Sequence, residues 1–238
     1  MPSEHLAGWK WCAFATIAIV ILSVVPQIHF WFVRGSDWKG SYTVVQGDEL
    51  LYSAYVNALI DGRPRRTDPV MGRDDHHRAP LPESLFSIQF VPPYAIALFA
   101  RVFGMTASSA FIALLAIEGL LASLALCWLF SSLTRDKQFA ALGILLVLCF
   151  GTLAGGQGII GLIVKPDARF VGLPFLRRYE PGVPFPLCFV FCVLILKGLT
   201  ASSKRKRVTA ALLAGATLGV LVFSYFYLWT TVFAWLVC

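Results

Sequence analysis

Residues 85–104, LFSIQFVPPYAIALFARVFG, decide the fold, because whether they cross a membrane fixes the side on which every later loop lies. The segment matches the ~20 residues that a spanning helix needs. Pro92-Pro93 interrupts it, and Arg101 lies within it; both count against a simple crossing. Its neighbours settle the choice. Arg135-Asp136-Lys137 follows one apolar run, and Lys204-Arg205-Lys206-Arg207 precedes another. Lys and Arg accumulate on the cytoplasmic side of membrane proteins. Both basic sequences lie inside, with the N-terminus, only if 85–104 stays outside as a surface or re-entrant helix.

Outward from that segment the chain reads as a membrane protein. It has 238 residues, 58% of them hydrophobic and 14% charged, which excludes an ordinary soluble domain. Spans are expected at 9–33, 107–133, 139–164 and 187–199, and residues 208–238 hold a fifth and the start of a sixth. The first is long and ends in Phe30, Trp31 and Phe32, which marks a retained anchor rather than a cleaved leader. Two polar loops, 34–104 and 165–186, then face the same extracytoplasmic side. The expected fold is an all-α polytopic transmembrane helical bundle. Since the chain stops inside an apolar run, a truncated piece of a longer membrane protein is expected. The net charge of +7 reflects topology, and no basic stripe with interleaved aromatics suggests nucleic acid as a partner. The six cysteines all lie in apolar segments and read as small buried hydrophobes.

The first outer loop carries the most informative polar stretch, residues 47–66, GDELLYSAYVNALIDGRPRR. Glu49, Ser53, Asn57 and Asp61 recur every four residues, opposite a broad apolar side of Leu51, Tyr52, Tyr55, Val56, Leu59 and Ile60. Gly62 and Pro64 end the pattern. The expectation is an extracytoplasmic juxtamembrane amphipathic helix, lying on the membrane with its carboxylates at the water boundary. Asp48 is placed to cap its N-terminus, and Glu49 to favour its dipole.

This organisation resembles the N-terminal module of the GT-C class of polytopic glycosyltransferases, which includes protein O-mannosyltransferases and aminoarabinose transferases. The resemblance covers residues 9 to 200. The Asp48-Glu49 helix and Val91-Pro92-Pro93-Tyr94 carry it. It implies a sugar donor on a polyprenyl phosphate, an acceptor of unspecified kind, membrane lipid as surroundings and a bacterial inner membrane as location. It also implies Asp48 as the catalytic base, with Glu49 beside it. In the second loop, Arg169, Arg177, Arg178, Tyr179 and Glu180 are candidates for the donor, since arginine binds phosphate bidentately. Snorkelling to lipid headgroups is the competing reading of those arginines. A divalent metal is compatible with the class, but there is no Asp-x-Asp motif here.

Other features weigh less. Asp74, Asp75, His76 and His77 are adjacent, whereas ligand sets come from separated positions, so they read as solvated loop. Gly151 and Gly155 form a small-xxx-small pair for helix packing. Tyr225, Tyr227 and Trp229 form an aromatic belt first and a sugar-stacking surface second. Glu118 is an acid in mid-span, which is costly and marks function or a buried pair. It is the titrating candidate if the chain is instead a transporter or flippase-like protein. A non-catalytic membrane subunit is the third reading.

Overall fold

The computed structural model describes residues 2–44, 47–62, 89–150, 173 and 176–238, without side chains for 2–7 and 150. The described residues are helical, with no strand among them. In chain order they form α1 (Pro2–Arg34), α2 (Asp48–Ile60), α3 (Val91–Val102), α4 (Ala107–Thr134), α5 (Lys137–Leu145), α6 (Phe185–Thr200), α7 (Lys204–Val222) and α8 (Phe226–Val237). A π-helical turn, Leu146–Phe150, extends α5.

Helix boundaries follow local chemistry. Thr106 caps α4 by accepting the Ser109 N–H, and Ser203 caps α7 by accepting the Lys206 N–H. Asp136 caps α5, accepting from Gln138 and Phe139. Arg135 ends α4 in the left-handed region at φ 57°, so the chain reverses there within two residues. Pro92 and Pro93 do not interrupt a helix. They lie in the first turn of α3, where the missing N–H groups have no intrahelical partner to lose, and both are buried. Arg101, which counted against a crossing, reaches back to α2. Its Nη2 donates to Leu59 O at 2.5 Å and its Nε to Ile60 O at 3.1 Å, satisfying carbonyls at the C-terminal end of that helix. At 12 residues, about 18 Å by the helical rise, α3 is too short to span.

Among the described residues, two helices are long and apolar enough to cross a membrane, Gly8–Asp37 and Ala107–Thr134. They run antiparallel: Cys12 Sγ lies 2.9 Å from Cys127 Sγ, and Gly119 lies against Val20 and Ser23. Helix α4 is central, with 61% of its most apolar stretch buried against 28% for α1. Around it the described residues form three cores. Cys12, Ile19, Leu126 and Ile144 join α1, α4 and α5. Tyr52, Val56, Ile96, Ala100, Phe111 and Tyr179 join α2, α3 and the start of α4. Phe191, Leu194, Ala214 and Leu221 join α6 to α7.

The ends of the bundle differ in chemistry. At one end Lys137 Nζ lies 4.0 Å over Trp9, Lys197 Nζ lies 4.6 Å over Trp128, and α7 begins with its four exposed basic residues. At the other, α2 and α3 lie over the start of α4, and the Val91 N–H donates to Phe223 O at the α7–α8 turn. The acidic helix and the basic run therefore occupy opposite ends.

The α1–α4 contact depends on a small residue. A Cβ on Gly119 would stand 3.0 Å from Ser23 Oγ and 3.5 Å from the Val20 Cα. Gly119→Val is expected to lower the unfolding temperature of the purified protein, with an overpacking cost of about 1–3 kcal/mol. Gly215→Val, where nothing lies within 4 Å of a Cβ, is the control and should not.

Candidate functional site

The site is assembled where the N-terminus of α2 meets residues 177–183 beside α4. Helix α2 does not lie on the surface with both carboxylates in water. Gly47, not Asp48, is its N-cap, and Asp48 and Glu49 are in its first turn. The four-residue stripe slopes inward: Asn57 and Asp61 are exposed, but Glu49 is fully buried. Its partner is the reason. Arg178 is 1% exposed, and its Nη1 lies 3.0 Å from Glu49 Oε2. Arg178 Nη1 also donates to Thr43 O, and Nη2 to Thr43 Oγ1 at 2.9 Å. Its guanidinium carbon lies 5.1 Å over the Tyr42 ring. Burial lowers the Arg178 pKa from the usual arginine value, and the Glu49 and Glu118 charges oppose that fall.

Neighbouring groups hold this pair in place. Gln27, buried in α1, accepts the Thr43 N–H at 2.9 Å and donates to Ser41 O at 3.4 Å. The segment from 41 to 43 is thus tied to the first helix on one side and to Arg178 on the other. Tyr42 donates its phenol proton to Glu49 O at 3.3 Å, and burial holds its pKa above the ordinary tyrosine value.

A second pair lies beside the first but nearer to water. Arg177 Nη2 is 3.2 Å from Asp48 Oδ2, with side chains 14% and 38% exposed. Arg177 Nε donates to the carbonyl of Glu180 at 2.8 Å. Adjacent residues on α2 thus meet adjacent residues on the second loop, one pair sealed and one at the rim.

Tyr179 and Glu180 complete the floor. Tyr179 is in the left-handed region at φ 74°, which disfavours a side chain. Its ring stacks on Tyr52, with centroids 4.2 Å apart and planes within 2°. Its N–H donates to Glu118 Oε1 at 3.4 Å. The Tyr52 hydroxyl donates to Glu180 Oε2 at 3.4 Å, and burial, then the Glu180 and Asp48 charges, raise the Tyr52 pKa. Gly182 passes so close to Glu118 that a Cβ would stand 2.1 Å from Oε2 and 2.6 Å from the Arg177 carbonyl oxygen. Only glycine fits there.

Of the residues singled out from sequence, Asp48, Glu49, Glu118, Arg177, Arg178, Tyr179 and Glu180 thus come together, while Arg169 lies outside the described residues. Two roles change. Arg178 is not offered to a donor phosphate, because it is sealed against Glu49. Tyr179 is a buried stacking residue rather than a loop residue open to ligand. Asp74, Asp75, His76 and His77, and the glycines from 151 to 161, also lie outside the described residues. Among the described residues no three His, Cys, Asp or Glu side chains converge as metal ligands. Gln27, Tyr42, Thr43 and Tyr52 were missed. For Gln27 a signal existed, since an amide inside an apolar span needs a polar partner.

The sealed pair makes a double-substitution test. Arg178→Met leaves Glu49 buried without its cation and is expected to cost about 3–5 kcal/mol, read as thermal unfolding of the purified protein. Arg178→Met combined with Glu49→Leu should recover most of that loss, because neither charge of the pair then remains to be desolvated.

No protein-family model, no curated protein and no solved structure matches this chain.

Proposed function

We propose that this chain is a polytopic helical membrane protein of the plasma membrane. We propose further that it transfers a sugar from a polyprenyl-phosphate donor to an acceptor on the extracytoplasmic face. The observation that carries this reading is the Asp48–Arg177 pair at 3.2 Å. It is partly exposed, at the end of the bundle away from the basic run. A base and a phosphate-binding cation are needed within reach of one another, and this pair supplies both. The Asp48 carboxylate takes the acceptor hydroxyl's proton as that oxygen attacks the anomeric carbon. The bond from that carbon to the phosphate oxygen breaks, and Arg177 meets the charge of the departing polyprenyl phosphate. The Glu49–Arg178 pair aims the rim pair and takes no part in bond making.

A second reading has its own observation. Glu118 is 2% exposed within α4, and its Oε2 has no hydrogen-bond partner among the described residues. A buried carboxyl of this kind also suits a transporter that carries a proton.

Asp48→Asn should reduce sugar transfer at least ~100-fold while the protein still inserts; full activity in that variant removes the base. Glu118→Gln should leave transfer intact, whereas loss of a proton-coupled flux in that variant favours the transporter. Topology is tested in a Cys238→Ser background, since Cys238 is an exposed thiol. Ser36→Cys should react with an impermeant maleimide from outside, and Ser203→Cys only after the membrane is opened. Labelling of Ser203→Cys from outside would overturn the pairing of the two loops.

A further inference from the structure

Two cysteines lie in the seam between α1 and α4. Cys12 and Cys127 are 2% and 3% exposed, and their sulfurs lie 2.9 Å apart although 115 positions separate them in the chain. Both are free thiols. The register that brings them together is fixed elsewhere in the same seam, where Gly119 lies against Val20 and Ser23. Cys127 follows Gly119 by the same interval as Val20 follows Cys12, so two antiparallel helices that meet at the one contact meet again at the other. Ala15, Ile19, Ala122 and Leu126 fill the core between.

Hydrogen bonding aims the two sulfurs at each other. The Cys127 thiol donates to Cys12 Sγ, and the Cys12 thiol donates to Lys137 O at 3.5 Å. Ser131 Oγ, 3.9 Å from Cys127 Sγ, accepts from Lys137 Nζ at 2.8 Å. Bonded sulfurs are about 2.05 Å apart, so a bond here asks the pair to close by only about 0.9 Å.

We propose that Cys12 and Cys127 are an oxidation site, at which an apolar organic hydroperoxide converts the two thiols into a disulfide that fastens α1 to α4. The surroundings select the oxidant. Both thiols are sealed from water, and a charged oxidant such as glutathione disulfide would have to shed its hydration to reach them. The outer side of α1 is apolar beside Cys12, with Trp11 and Phe14 both exposed, and an uncharged apolar molecule enters from there. One sulfur attacks the terminal oxygen of the hydroperoxide. The O–O bond breaks, the alcohol leaves with the thiol's proton, and a sulfenic acid remains. The second sulfur attacks the first, the S–O bond breaks, and water leaves with the second proton as the S–S bond forms. The two thiols lose two electrons and the hydroperoxide gains them. Neither cysteine belongs to the carboxylate–arginine cluster, so the site is independent of the catalytic reading.

The test exposes the purified full chain to cumene hydroperoxide or, separately, to glutathione disulfide. Remaining thiols are blocked with N-ethylmaleimide in denaturant, and the digest is read by mass spectrometry. Cumene hydroperoxide should give peptides joined through Cys12 and Cys127, which dithiothreitol separates again; glutathione disulfide should leave both thiols free. The joined protein should unfold at a higher temperature than the reduced one, because the bond closes a long loop. Cys12→Ala with Thr16→Cys moves the α1 thiol one turn out of register and should lose most of the joined product. Several results would overturn the proposal: both thiols still reduced after cumene hydroperoxide, a sulfenic or sulfinic acid on either without a bond between them, or a bond from either to another cysteine. So would an unchanged unfolding temperature, equal joining by glutathione disulfide, or equal joining by the shifted pair. The decisive arm uses the unsubstituted chain, so a variant that fails to fold leaves the test intact.

Discussion

Removing a guanidinium and a carboxylate from water costs several kcal/mol for each ion, and the attraction between them offsets this only when the remaining polar atoms are also satisfied. The Arg178–Glu49 pair imposes that condition on its surroundings, which meet it at both terminal nitrogens of the guanidinium but leave Arg178 Nε without a hydrogen-bond partner among the described residues. A carboxylate oxygen alone cannot meet the five N–H groups of a guanidinium, so Thr43 supplies its carbonyl and its hydroxyl. Thr43 must then be held still, and Gln27 holds it from within α1. Tyr42, its neighbour, covers the cation with its ring and donates to the Glu49 carbonyl. One buried ion pair thus connects the first helix, the segment after it, α2 and the second loop. The first three of these pieces follow one another in the chain, but Arg178 on the second loop is 129 residues from Glu49, and apolar packing alone would leave that loop free to slide.

The same constraint explains why α2 is not a conventional surface helix. A helix lying on a membrane presents an apolar face downward and a polar face to water. In α2 the polar stripe turns inward at its N-terminal end, since Glu49 has a cation to meet there. The C-terminal end, Asn57 to Asp61, keeps the orientation that the four-residue spacing suggests. Arg101 then fixes the other end by bonding the Leu59 and Ile60 carbonyls. The helix is held by charge at both ends and by Tyr52, Val56 and Leu59 between them. Its position is therefore well determined, although it is only 13 residues long.

Much of this architecture is legible in composition. Long apolar runs separated by basic turns announce helices and their ends, and all-helical structure follows directly. Asp136 and Ser203 are readable as caps because each precedes a helical run by one residue. The sequence also brings Asp48, Glu49, Arg177 and Arg178 forward as the residues with chemistry to offer. What it hides is which member of each pair is sealed. Adjacent residues on a helix point about 100° apart, and spacing does not say which of the two faces a partner over 120 residues away. Pro92-Pro93 misleads for a related reason: proline breaks a helix only when turns precede it, and here none do. Gly182 is invisible as a requirement, because its constraint comes from Glu118 on another helix. The four-membered brace of Gln27, Tyr42, Thr43 and Tyr52 is equally non-local, and Gln27 alone is conspicuous by its polarity within an apolar run.

Exposure separates the two ion pairs into different kinds of chemistry. A sealed pair resists protonation changes and ligand exchange, because either would strand a charge away from water. A rim pair such as Asp48–Arg177 lies in higher dielectric, where the same contact is worth far less. Its partners can therefore part from one another when a third group competes for either. In the proposed reaction a hydroxyl presented to Asp48 and a phosphate presented to Arg177 would be such competitors, and the two side chains would pair again when those leave. The two pairs come from consecutive residues on both sides, so the rigid one sets the position of the exchangeable one. Glu118 extends the rigid part into α4 through the Tyr179 N–H, and the close passage of Gly182 leaves that loop little freedom to lift. The position of the rim pair is thus inherited from charges that never meet solvent, and the proposed chemistry rests on the half of the acidic pair that stays within reach of water.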